Sequence, residues 1–126
     1  MQASGKFDVN MTPQTSDQID VGRLTIEKTY RGEMQGSGKG QMLSKRTSVP
    51  GSAGYVALEH FSGNVNGVAG GFTLQHFGLM NKGESQLQVT IIPDSGTEGL
   101  AGISGALKID MKDGEHFYVL EYEISE

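Results

Sequence analysis

The chain reads as an all-β protein, a single antiparallel meander barrel of about eight strands. Three observations predict it. Runs of residues alternate apolar and polar with a period of two. Strong turn signals separate those runs at short intervals. Nineteen glycines against three prolines are spread among aliphatic and aromatic residues instead of being gathered in linkers, as a sharply curved sheet requires. No window carries apolar residues at spacings of three and four between helix caps. A length of 126 residues suits one barrel domain, residues 1–126, that buries a core without metals or disulfides.

Taken in order, Phe7, Val9 and Met11 alternate with polar neighbours in a first strand that stops at Pro13. Thr15 to Asp20 is polar and reads as a loop. In the second strand Leu24, Ile26, Lys28 and Tyr30 share one face, and Thr25, Glu27 and Thr29 the other. After a turn at Gly32, the third run, Glu33 to Leu43, places Met34, Gly36, Gly38, Gly40 and Met42 on one face. Glycine weakens a strand, so this face needs a reason. A tight barrel bend is one; close approach by a large side chain from across the sheet is the other. We favour the bend.

Tyr55 to Phe61 is a fourth strand, and Gly63 to Gly67 a turn-rich crossing into a fifth from about Gly71 to Met80. Asn81 to Glu84 makes a hairpin loop. Ser85 to Ile92 is the sixth strand and Leu100 to Met111 the seventh. Asp113-Gly114 is a strong hairpin turn. The last strand carries His116, Tyr118, Leu120, Tyr122 and Ile124 on one face. The six methionines are scattered and read as core filler.

Composition excludes several functions. The absence of cysteine removes thiol catalysis and zinc-thiolate sites, and with no secretory signal pattern it leads us to expect a cytoplasmic protein. The Asn10-Met11-Thr12 sequon is then a chance match. A net charge of −5 argues against nucleic acid as a partner, and no run approaches membrane-spanning length. Gly36-Ser37-Gly38-Lys39-Gly40 fails the phosphate-loop spacing and has no helix behind it. Gly102-Ile103-Ser104-Gly105 lacks the spacing of a nucleophile elbow. His60, His76 and His116 lie on three different strands without metal-ligand spacing, and alternation puts Glu59 and His60 on opposite faces. We expect no metal and no cofactor.

The candidate site residues are Tyr55, Glu59, His76, His116 and Tyr118. His76 shares its row with Phe72, Leu74, Gly78 and Met80, and Glu59 with Tyr55, Ala57 and Phe61. A titratable group on an apolar face must be hydrogen-bonded or shift its pKa. Such groups either pin strand register or supply an acid or base above an apolar ligand. His76 is expected to be buried, hydrogen-bonded and inward-facing. Phe77 and Leu79 give the same strand a second apolar face, which predicts a homo-oligomer.

Three segments carry a family resemblance: Gly51-Ser52-Ala53-Gly54-Tyr55-Val56-Ala57-Leu58-Glu59, Gly71-Phe72-Thr73-Leu74-Gln75-His76-Phe77-Gly78-Leu79-Met80, and Val89-Thr90-Ile91-Ile92-Pro93-Asp94-Ser95-Gly96-Thr97. They resemble the domain-of-unknown-function 3224 family of small bacterial proteins, and the likeness runs from Ala3 through Tyr118. It implies a β-barrel similar to that of plant allene oxide cyclase, although Glu98 and Gly99 stand in swapped order relative to the cyclase and dirigent glycine pattern. That cyclase encloses an apolar epoxide, and its functional residues do not map onto this chain. The function expected is the binding of a small apolar ligand in or at the mouth of the barrel. Two alternatives stay open: a non-catalytic homo-oligomeric module with a filled barrel, and a cyclase- or isomerase-like enzyme.

Overall fold

A computed structural model describes residues 1–14 and 19–125. The chain forms β1 (Gln2–Pro13), β2 (Gly22–Gly32), β3 (Met34–Arg46), β4 (Ala53–Val65), β5 (Val68–Asn81), β6 (Glu84–Ile91), β7 (Thr97–Glu98), β8 (Ile103–Lys112) and β9 (Glu115–Ile124), with no helix among the described residues. Each strand pairs antiparallel with its neighbours in the order β1-β2-β3-β4-β5-β6-β8-β9. Pairing of β1 with β9, as in Ala3 opposite Leu120, closes the circle. The two-residue β7 pairs with Gly70 and Gly71 of β5, on the same edge as β6 and beyond its end. Closure removes the long free edges by which such a sheet would pair with other chains; the sparsest junction is β6 with β8, paired at Thr90 and Ala106.

The strands outrun their expected ends. Residues 63–65 continue β4 instead of forming a crossing, and only Asn66-Gly67 turns. The loop expected at Asn81–Glu84 is likewise a two-residue turn, Lys82-Gly83, and the seventh strand expected from Leu100 begins at Ile103. Asp113-Gly114 turns as read. In this turn both residues take positive φ, 54° and 79°, the mirror-image turn whose twist matches that of the flanking strands. Of the polar segment expected to be a loop, Thr15 to Gln18 lie outside the described residues, and Ile19 and Asp20 are not strand.

Period-two alternation sends one row of each strand inward, and the two ends of that interior differ. At one end Tyr30, Phe61, Phe72, Tyr118 and Leu120 pack tightly. Tyr30 meets Phe61 and Tyr118 edge-on at centroid distances of 5.3 and 5.5 Å, a favoured aromatic geometry. Leu100, fully buried in the connection from β7 to β8, plugs this end. At the other end the inward rows finish in methionines, and here the core-filler reading is corrected. Met34 alone is fully buried, whereas Met11, Met80 and Met111 are 52, 43 and 65% exposed. Together with half-buried Met42 they ring the open mouth.

Candidate functional site at the open end

Beneath the methionine ring the inward rows of β2, β4 and β5 converge on three ionisable side chains. Lys28, Glu59 and His76 are the only polar or charged residues buried among those described. Glu59 is fully enclosed, and its Oε1 accepts from Lys28 Nζ at 2.9 Å and from His76 Nε2 at 2.8 Å. Its Oε2 accepts from the Tyr30 hydroxyl. The Lys28 ammonium also stands 4.5 Å above the centre of the Phe7 ring, so aromatic π charge adds to the carboxylate in compensating its burial.

These groups meet because β3, which separates β2 from β4, lacks side chains where they cross. Lys28 is paired with Gly38, and Gly40 with Glu59. A Cβ on Gly38 would lie 2.0 Å from Glu59 Oε2 and 3.0 Å from the Tyr30 ring. Close approach of side chains is therefore the reason for glycine at position 38, against the bend we favoured. At Gly36 and Gly40 the nearest obstacles are the carbonyl oxygens of Ser62 and Leu58, at 2.2 and 2.0 Å. There the strongly coiled backbone is the cause.

Burial pushes the Glu59 carboxyl pKa up. The hydrogen bond from His76, the charge of Lys28 and the hydrogen bonds from Tyr30 and Lys28 outweigh it, holding the value at about 2 against an ordinary 4.5. Glu59 is thus ionised at neutral pH. Tyr30 is pushed well above the ordinary tyrosine value, first by burial and then by the negative charge of Glu59.

Above this cluster lies a cavity of about 230 Å³. Its walls include Phe7, Val9, Ile26, Ala57, Leu87 and Ile109; Lys28 and His76 supply polar surface. Of the residues singled out from sequence, Tyr55, His76 and His116 line the cavity. The Tyr55 ring lies across Gly78 of β5, where a Cβ would come within 2.2 Å of it, and burial raises the Tyr55 pKa. His116 packs on Phe7 with ring centres 5.0 Å apart. Glu59 sits behind the wall as the hub of the cluster. His76 is buried, hydrogen-bonded and inward-facing as expected.

Tyr118 lies elsewhere, in the filled end. Its hydroxyl accepts from the Met34 N–H and donates to the Arg31 carbonyl, both at 2.8 Å, which pins the turn from β2 to β3. The residue that sequence reasoning missed is Lys28. Its signal was present: a charged residue on an inward row, between Ile26 and Tyr30. Among the described residues no group of three or more His, Asp or Glu side chains is placed to hold a metal ion.

The architecture defines a closed eight-stranded antiparallel barrel with one short extra strand, and a known structure shares it over its whole length. The crystal structure of a protein of unknown function from Shewanella oneidensis MR-1 superposes with a TM-score of 0.96 at 38% identity, covering 100% of this chain and 98% of that one. That protein is from the DUF3224 family. The profile of the same family, proteins of unknown function DUF3224, matches residues 3–122, and the chain belongs to it. No curated protein matches.

Proposed function

We propose that this protein binds a small, largely apolar molecule in the open end of its barrel, with any polar group of that molecule turned toward Lys28 and His76. The observation that carries this reading is an apolar cavity with two buried polar side chains on one side, the usual composition of a small-molecule site. A volume of about 230 Å³ falls below the roughly 300 Å³ where drug-sized sites begin, so the occupant is about the size of one six-membered ring. Methionines around the mouth suit entry, since unbranched thioether side chains repack easily.

Methyl NMR with cyclohexane, cyclohexanol and cyclohexanone tests the reading. Shifts confined to Val9, Met11, Ile26, Met42, Leu87 and Ile109 support it. Shifts scattered over the outer surface, or none at millimolar ligand, reject it.

A second reading rests on a different observation, and it concerns self-association. On the outer face Leu43, Val56 and Phe77 are paired neighbours across β3, β4 and β5, flanked by Leu58 and Leu79, and all five are 46 to 54% exposed. The outward rows of these three strands carry no Asp or Glu. Two copies of a chain with net charge −5 would meet here with their carboxylates held apart. Sedimentation equilibrium at high micromolar concentration should show an oligomer that Phe77→Lys dissociates; a strict monomer ends the idea.

A further inference from the structure

We propose that the open end is a proton-transfer site, in which His76 Nδ1 removes a proton from the carbon next to a carbonyl group and the Lys28 ammonium receives the oxyanion that forms. The inference rests on the ligand-binding reading above and names the ligand class: a small apolar ketone or aldehyde with an α C–H bond.

The tautomer of His76 follows from its partner. An ionised carboxylate only accepts hydrogen bonds, so the His76 Nε2 atom, 2.8 Å from Glu59 Oε1, carries the proton. In the neutral ring the free lone pair is then on Nδ1. That nitrogen has no hydrogen-bond partner among the described residues, and no buried side-chain polar atom among them lacks one. Nδ1 is therefore not sealed inside the wall; His76 lines both this cavity and an outer groove beside Val56, Leu58 and Phe77, and its side chain, on the inward row and bonded to Glu59, belongs to the cavity side. Lys28 is in the complementary state. It gives one hydrogen bond to Glu59, and an ammonium has three N–H groups, which leaves donors for an oxygen in the cavity that it also lines.

The charges balance through the reaction. The step starts from a neutral imidazole beside the Lys28–Glu59 ion pair. Nδ1 takes the α proton, so the C–H bond breaks and an N–H bond forms. The freed electron pair makes the carbon–carbon double bond of an enolate, and the carbonyl π pair moves onto oxygen. Glu59, hydrogen-bonded to the opposite ring nitrogen, stabilises the imidazolium, while Lys28 stabilises the enolate oxygen. When the new N–H exchanges with D2O before a deuteron returns to the same carbon, deuterium is taken up; in a β,γ-unsaturated ketone, return to the γ carbon gives the conjugated isomer. Nothing else is consumed. Glu59 touches neither substrate nor reacting atoms in this scheme and is a positioning residue.

The experiment follows deuterium uptake at the α carbons of cyclohexanone in D2O by NMR, with binding read separately from the methyl shifts. The protein should accelerate uptake by at least about 100-fold over equimolar free imidazole, the low end for a positioned base. His76→Ala should abolish the acceleration, and added imidazole should restore it above the rate of imidazole without protein. Lys28→Met should cost about 100-fold, whereas His60→Gln, on the exposed outer row of β4 and outside the cavity, should leave the rate near wild type. Cyclohexanone that binds without accelerated exchange overturns the proton-transfer proposal while the binding reading stands. Failure of all three six-carbon compounds to bind, with no exchange, overturns both. Full exchange in His76→Ala, or its loss in His60→Gln, also overturns the assignment.

Discussion

The two ends of this barrel are built by one rule and arrive at opposite results. Every strand sends alternate side chains inward at both ends. At the filled end those positions hold Tyr30, Phe61, Phe72 and Tyr118, capped by Leu100. At the open end aliphatic residues such as Val9, Ile26 and Ile109, with Ala57 among them, surround a space behind a rim of methionines. Eight strands enclose a space just wide enough to be filled by side chains or to hold one small ligand. Side-chain size alone therefore decides whether a given level is core or cavity. The Lys28–Glu59–His76 cluster marks the boundary, where aromatic packing on one side excludes water and the cavity on the other leaves room for a guest.

The sharpest way to break this comparison is to truncate the filled end. Phe61 is fully buried against Tyr30 and Phe72, so Phe61→Ala should cost roughly 3–5 kcal/mol in urea unfolding. A loss under about 1 kcal/mol would mean that this end is not a tight core.

Acid probes the boundary itself. Because the folded pKa of Glu59, about 2, lies below its ordinary 4.5, its ionisation contributes stability that is complete above pH 4.5. That contribution falls away as pH drops from 4.5 toward 2, and amounts to about 3 kcal/mol in all. The stability difference between wild type and Glu59→Gln should shrink over that window. A difference that stays constant would show that the carboxylate is not preferentially ionised in the folded state.

Gly38→Ala comes next. The new methyl must displace the Glu59 carboxylate or the Tyr30 ring, at a cost of about 1–3 kcal/mol, and cyclohexanone shifts at Lys28 and His76 should change with it. Least of all, Met111→Ala at the rim should change stability by no more than about 0.5 kcal/mol, yet alter ligand entry rates measured by NMR exchange.

Much of this was legible in the sequence because alternation is local. The rows shared by residues of β4, β5 and β9 and the burial of His76 follow from period-two reading, and the Asp113-Gly114 turn from its residue types; which row of β4 and β9 faces inward did not. Strand ends were less legible. Gly63 looks like a turn residue, yet here it is paired with Gly36 within β4, at a point where the sheet coils tightly. The site was half legible. Glu59 and His76 are visible as titratable groups on apolar rows of adjacent strands. Lys28 sits 31 positions before Glu59 and reaches it across an intervening strand, so no local pattern connects them. Gly38 on β3 was the trace of that contact, but a barrel bend, the explanation we favoured, accounted for the whole glycine row until the register was known. Tyr118 read as a site residue for the same reason, since alternation reports the side of the sheet and says nothing of height along the barrel.

The closure of β1 on β9 has a kinetic consequence. Ala3 and Leu120 are far apart along the chain, and bringing such distant segments together loses chain entropy before any contact repays it. The Lys28–Glu59 pair belongs to β2, β3 and β4, three consecutive strands joined by short connections. On this ordering the sheet from β2 to β5 is expected to assemble before the β1–β9 seam, which joins the two ends of the chain.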